Sequence, residues 1–450
     1  MIKWMRAGTA RVGHRVSAVS RRSGRMRLSV AVVLAVAVGA ALAVVAEVVL
    51  IAVFHPARTG GSPIDVTKLA FTVVGGVGGV VALVIAYRRQ RDLEQNRFVE
   101  RFGAAAAQLG ATDVAVRIAG VYAMAGVADE SDGLRRQQCI DVLCGYLRLP
   151  YDAAHGSSGR TKCVVTVPNP RVEDLDDPGK VEEHHEYRNN DREVRTTIVR
   201  VIANHLRAEA EYSWSANDFD FRTVYLEDVD FNGATFSGTT VFDRATFSGT
   251  TSFDRAIFSG TASFDRATFS DTRFDRASFS DTASFIGTTF SGTASFDRAT
   301  FSEATLFLTA TFSDTANFTG ATFSNITTFE HTAFSGTTLF LAATFSGIIT
   351  FTDTIFSDTA DFTGATFSRA TWFDDTVFSG TSLFVSATFS GTCIFEKVDF
   401  GVQRISFADP KQWGPPEPIF DWSFDIALKP GNVEPQDWPP IVVAALPDSQ

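Results

Sequence analysis

The sequence predicts a chain in three parts: an N-terminal transmembrane helical hairpin, a small α-helical juxtamembrane region, and a long β-solenoid. Three observations carry this reading. Two apolar runs, 28–54 and 69–87, each reach the length needed to cross a bilayer core. Residues 88–150 space their apolar side chains at helical intervals. From position 231 to 400, 32 phenylalanines follow one another at steps of five and six residues. That rhythm is neither the period 2 of a plain strand nor the 3.6 of a helix.

Composition narrows the classes. The 450 residues allow two or three domains. Gly, Ser and Thr abound, yet 41 Phe and 45% hydrophobic residues exclude a disordered chain. Positions 1–90 hold 12 basic and 2 acidic residues, a net of +10. The remainder holds 28 and 49, a net of −21. A basic end on an acidic body suggests two environments rather than one nucleic-acid binder. Cys139, Cys144, Cys163 and Cys393 match no zinc or redox spacing and read as buried thiols.

Residues 1–27 form a basic terminus with eight Lys/Arg. The first run, 28–54, contains one charge, Glu47, and exceeds the apolar core of a signal peptide. A short loop, 55–68, leads to the uncharged second run, 69–87. Positive charge flanks both runs and is sparse in the loop, so both termini are expected in the cytoplasm and the lipid bilayer is an expected partner. The expected location is the cell membrane, multi-pass. Gly75 and Gly79 form a GxxxG spacing suited to close packing within the hairpin.

The juxtamembrane region spans 88–150. "TDVAVRIAGVYAMAGVAD" has Thr112 as its expected N-cap, and Ile140, Leu143, Cys144 and Leu147 fall on one helix face. Residues 151–192 read as an acidic linker in which His184 and His185 are solvated. Residues 193–210 resume helical spacing, with Val194, Ile198, Val201 and Ile202 on one face, and are placed to cap the repeats.

The repeat is an 11-residue unit of two pentads, such as A-T-F-S-G and T-S-F-D-R, with one extra residue between them. A small side chain usually precedes the Phe by two, so on extended backbone the two point the same way while their neighbours point out. Gly or Asp after the pentad suits a turn. A chain that turns after every pentad winds into a solenoid with Phe stacked inside. The core candidates are Phe231, Phe236, Phe242, Phe247, Phe253, Phe258, Phe264, Phe269, Phe274, Phe279, Phe285, Phe290, Phe296 and Phe301. The step from Phe269 to Phe274 is five where six is expected.

These pentads resemble the A-(D/N)-(L/F)-x-x motif of the pentapeptide-repeat family, in a Phe-rich 5+6 variant. The resemblance covers 217–407. More loosely, the segments "QLGATDVAVRIAGVYAMAGVAD" and "REVRTTIVRVI" resemble the region before the repeats in actinobacterial membrane proteins of this type. The resemblance implies a right-handed quadrilateral β-helix of 22-residue coils, about 8.5 of them, in a rod roughly 40 Å long at about 4.8 Å per coil. A Pro/Trp-rich segment, 408–450, is left as a C-terminal cap or tail.

No catalytic, metal or cofactor motif appears, so an enzyme is not expected and no cofactor is implied. The recurring Asp-Arg pairs read as a ladder of surface ion pairs. The expected function is a membrane-anchored, non-catalytic scaffold whose cytoplasmic rod binds a protein partner, with no nucleic acid involved. Two alternatives are weighed. One is a DNA mimic acting on a topoisomerase, which the acidic body permits. The other is a water, ice or surface contact through Ser/Thr ladders, which requires an extracellular rod.

Overall fold

The structure, a computed structural model, describes residues 63–153, 162–168, 180–186 and 191–443, together with Ala41, Val44, Val45, Val48 and Val49. The chain divides into two compact units, 1–100 and 101–450. Helix α1 spans Pro63–Leu109. Then follow α2 (Val114–Asp129), α3 (Leu134–Leu147), an antiparallel strand pair β1 (Lys162–Pro168) and β2 (Lys180–Glu186), α4 (Asp191–Leu206), and the solenoid.

The membrane part of the expected fold is corrected. The first run, 28–54, lies outside the described residues except at the scattered positions above. The second, 69–87, is part of α1, which begins within the expected loop. Among the described residues no helix is long and apolar enough to cross a membrane. The supported architecture is a β-solenoid of about nine turns preceded by a few helices, and the expected multi-pass membrane location falls with the hairpin. The composition of α1 supplies the reason. Four of its residues, Gly75, Gly76, Gly78 and Gly79, bring no apolar side chain, and from Arg88 onward the helix is charged. A Cβ at Gly75 or Gly79 would meet nothing within 4 Å, so the expected close packing there is not found among the described residues.

The helices of the second unit pack through small and aliphatic side chains. A Cβ at Gly120 would lie 2.6 Å from the backbone nitrogen of Leu109, so glycine is what lets α2 approach the end of α1. Asp113, one residue later than expected, caps α2 by accepting from the backbone N–H of Ala115 (2.8 Å) and Val116 (3.3 Å). Ile140, Leu143, Cys144 and Leu147 are buried on α3, as are Val194, Ile198, Val201 and Ile202 on α4. Arg117, buried on α2, donates to Asp191 at the start of α4 (2.6 Å). Tyr146 on α3 donates to the same carboxylate oxygen (2.6 Å), which ties the three helices together. The expected linker carries β1 and β2, paired from Lys162 with Glu186 to Pro168 with Lys180.

The solenoid stacks four columns of inward side chains, visited in turn along the chain. Column 1 runs from Phe221 through Phe242, Phe264 and their successors to Phe420. Column 2 runs from Leu226 to Phe400, column 3 from Phe231 to Phe407, and column 4 from Phe236 to Phe389 and then Trp413. Rings in one column lie nearly parallel, as for Phe279 and Phe301 at 4.9 Å and 5°. Rings of the facing columns 1 and 3 meet edge to face, as for Phe285 and Phe296 at 5.8 Å and 89°, whereas columns 1 and 2 meet tilted, as for Phe285 and Phe290 at 6.3 Å and 42°. The parallel and edge-to-face arrangements suit the ring quadrupole. Successive coils pair as parallel strands, mostly two residues long. The ladders continue past 407 to Val433–Glu434, with Ile419–Phe420 over Ile394 and Phe395.

The short step after Phe269 is absorbed at one corner. Thr268–Arg273 is a continuous strand beside Thr246–Ser252, and the register shifts by one residue between Phe269 and Asp271. Inside, nothing slips: Phe269 stays over Phe247 (4.4 Å) and Phe274 over Phe253 (4.8 Å). The difference is taken up as a bulge in the longer strand, where Ser248 and Gly249 together oppose Ser270.

Candidate functional surface of the solenoid

All fourteen expected core phenylalanines, Phe231 to Phe301, are at most 1% exposed. They fill the interior, so what the rod offers to other molecules is its outer surface. Two kinds of corner shape that surface.

The corners after columns 1 and 3 are type II turns. The amide of the third residue after the Phe donates back to its carbonyl (Ala245 to Phe242, 2.9 Å; Ala256 to Phe253, 3.0 Å). The second residue after the Phe has positive φ: Arg244, Arg255, Arg266, Arg276 and Arg298 lie between 53° and 57°. The expected Asp-Arg ion-pair ladder is therefore not what forms. The Asp carboxylates turn inward along the coil edge and accept from the next coil. Ser263 donates to Asp243, Ser284 to Asp265 and Ser295 to Asp275, each at 2.5 Å. The arginines point outward. Among the described residues of the coils from 231 to 329 the ion pair is Arg273 with Asp254 (3.1 Å). Adjacent residues in the sequence had hidden this, because side chains at neighbouring positions of such a turn diverge.

The corners after columns 2 and 4 bring backbones of successive coils into close approach. Asp228, Gly249, Asp271 and Gly292 alternate at equivalent places. A Cβ at Gly249 or Gly292 would overlap the carboxylate of the acid one coil earlier. The acids repay the approach by accepting from the next coil: Asp228 from the Thr250 N–H (3.1 Å) and Asp271 from the Thr293 N–H (3.0 Å). At the corners after column 1, some inward threonines find carbonyls, Thr332 donating to Phe307 (2.8 Å) and Thr354 to Phe329 (2.7 Å), whereas the buried hydroxyls of Thr240, Thr251 and Thr272 have no partner among the described residues. Outward threonines stack in register, notably Thr300, Thr322, Thr344, Thr366 and Thr388 on the column 4 face.

Both ends of the solenoid are covered. At the first coil, Arg195 of α4 donates to the carbonyls of Leu147 (2.6 Å) and Tyr225 (2.9 Å) and lies over the Tyr151 ring at 4.4 Å. Burial lowers its pKa from the ordinary arginine value. Arg192 donates to Glu227, which also accepts from Tyr151; burial, then that bond, pushes the Tyr151 hydroxyl up to about 12. Arg222 grips Asp220 bidentately (2.8 and 2.7 Å), with Arg148 on the same carboxylate, and Asp220 falls to about 2. A recess of ≈ 320 Å³ lies between α4 and this coil. At the last coil, Trp438 stands edge-on to Phe407, Trp413 and Phe420 and closes the aromatic stack.

Cys139, Cys144 and Cys393 are free and buried, and burial pushes their thiols up to about 11, 12 and 12. Among the described residues no three His, Cys, Asp or Glu side chains are grouped to hold a metal. The sequence reading missed the left-handed arginines. Their signal was present in the glycines at the same turn place, Gly233, Gly287, Gly320 and Gly364, whose φ is also positive.

A parallel β-solenoid with a filled aromatic interior, two-residue strands and a turn after each pentad defines a class of repeat protein. The family model for pentapeptide repeats (9 copies) matches residues 221–268, 231–278, 264–309, 274–322, 318–366 and 329–377. Residues 221–377 of the chain are pentapeptide repeats of this family. That family is generally a structural or interaction module. Comparison with curated proteins gives no match.

Proposed function

We propose that the solenoid is a non-catalytic scaffold that binds a protein partner along one of its outer faces. One observation carries this: the coils hold outward side chains in registered rows on a rigid, filled interior, as in the Thr300 to Thr388 row. Such rows match the repeat spacing of an extended protein surface, and binding costs little ordering because the rows are fixed in advance. Function on this reading lies in the Ser, Thr, Asp and Arg between the phenylalanines.

Photo-crosslinking residues at Thr322 on the column 4 face and Thr311 on the column 2 face test it. The expected result is a saturable crosslink to one polypeptide from one face, competed away by unlabelled protein. Unsaturable crosslinks of equal yield from both faces would overturn the reading.

A further inference from the structure

We propose that the column 1 edge of the rod docks a second copy of this chain, antiparallel, about a twofold axis through the turn at Thr309. This goes beyond the partner-binding reading and occupies a different part of the surface.

The pattern lies in the left-handed turn positions after the column 1 phenylalanines. Thr309 is the middle one. Two and three coils toward the N-terminus the position is Arg266 and Arg244; two and three coils toward the C-terminus it is Asp353 and Asp375. One coil out, it is Gly287 on one side and His331 on the other, and four coils out it is Thr223 and Lys397, an uncharged–charged match that adds no ion pair. A half-turn about an axis through Thr309, perpendicular to the rod, brings Arg266 to Asp353 and Arg244 to Asp375. Each pair then occurs twice, as an isologous interface requires. Between the charged halves, Ile286, Leu306 and Leu308 present half-buried apolar side chains to the same edge.

The two halves are unequal in ways that fit this docking. On the basic half, Asp243 and Asp265 are engaged by Ser263 and Ser284, so Arg244 and Arg266 make no ion pair among the described residues. Both arginines line a recess of ≈ 650 Å³ together with Arg148, Arg222, Asp243, Asp265 and Ile286; four arginines against two aspartates leave it net positive, a receptacle for incoming carboxylates. On the acidic half, Glu330, Asp353, Asp374 and Asp375 follow on successive coils, with the His331 ring 3.8 Å from Glu330 and 3.6 Å from Asp353, and no Lys or Arg occurs in the sequence between Arg298 and Arg369. The edge along column 3 provides the contrast. Its left-handed positions are Arg255, Arg276 and Arg298 in the first half but Ala342, Gly364 and Ser386 in the second, so it cannot complement itself. Six coil steps separate Arg244 from Asp375, roughly 30 Å, which suits a standard interface of about 800 Å² per partner.

The test uses the purified full-length chain. Sedimentation should show a monomer–dimer equilibrium that weakens with salt. Thr309→Cys, on the axis, should crosslink to its symmetry mate under mild oxidation above the background of the unmodified chain, and Ala342→Cys, on the other edge, should not. Arg244→Asp with Arg266→Asp should weaken self-association at least about tenfold, and Asp353→Arg with Asp375→Arg likewise. Mixing these two variants should restore dimers, now of unlike chains. Arginine and aspartate both occupy left-handed turns elsewhere in this rod, so the exchanges leave the coil intact, as unchanged thermal unfolding would confirm. A monomer at every concentration up to about 100 µM, equal crosslinking at both edges, or a dimer indifferent to the charge exchanges would each overturn the proposal.

Discussion

The coils before Phe301 and those after it stack the same rings in the same columns, yet they present different outsides. In the first half, Asp-Arg turns put guanidinium groups at both type II corners. In the second, the same turn places hold Thr, His, Ala, Gly, Asp and Ser before Lys397 near the end, and no Lys or Arg occurs between Arg298 and Arg369. Phe279 over Phe301 and Phe334 over Phe356 are indistinguishable stacks, at 4.9 and 5.0 Å. The interior is held to one solution by packing, while the corners are free to vary wherever the backbone conformation is respected.

The comparison breaks first at the interior, where the halves should respond alike. Phe296→Asp and Phe362→Asp each bury a carboxylate and remove a ring. Loss of an aromatic alone costs about 3–5 kcal/mol, and the charge adds more, so circular dichroism should show loss of the cooperative transition in both. Survival of one half would mean the coils are not equally coupled. Next is the corner close approach: Gly347→Ala sets a methyl against the Asn325 backbone, and a drop of about 1–3 kcal/mol in denaturant unfolding is expected.

A smaller effect separates the two ends. Asp220 titrates at about 2 because Arg222, chiefly, holds it ionised. A depressed carboxylate contributes stability above its ordinary value of 3.8 and loses it as pH falls toward 2. Its side chain is about a third exposed, so the contribution is roughly 1 kcal/mol after screening. Asp220→Asn should remove the part of the acid-induced loss that lies in this window; an unchanged pH profile counts against the assignment. The smallest effect has the opposite sign. Ala342 and Arg298 sit at φ 51° and 53°, and glycine there should stabilise by about 0.5–1 kcal/mol through relief of the left-handed strain. Equal gains in thermal unfolding at both positions would show that strain, unlike charge, is spread evenly along the rod.

Much of the solenoid was legible because its signal is redundant. Phe231 to Phe301 and their small partners repeat one geometric instruction. The corners were less legible. Arg244 beside Asp243 looks like an ion pair in a string of letters, but a type II turn sends the two side chains apart. The coils beyond 407 were hidden because Pro415, Pro416 and Trp413 stretch the spacing: Phe395 and Phe420 are 25 apart yet adjacent in their column. The apolar run 69–87 suggested a membrane span, and the glycine content and charged continuation of α1 explain why the structure does not support one.

The short step at Ser270, met by a bulge in the preceding coil, has a consequence for how such a chain can change over time. A coil there spends one residue fewer than its neighbours, and the ring stack above and below does not register the loss. Duplication or unequal exchange of segments that differ in length by one residue can therefore leave a sound interior, with the discrepancy parked at a single outer corner. The rod behaves like a staircase whose treads tolerate an uneven nosing. Its lineage can lengthen, shorten or splice it without having to preserve the count, and each such splice shifts which side chains meet along an edge.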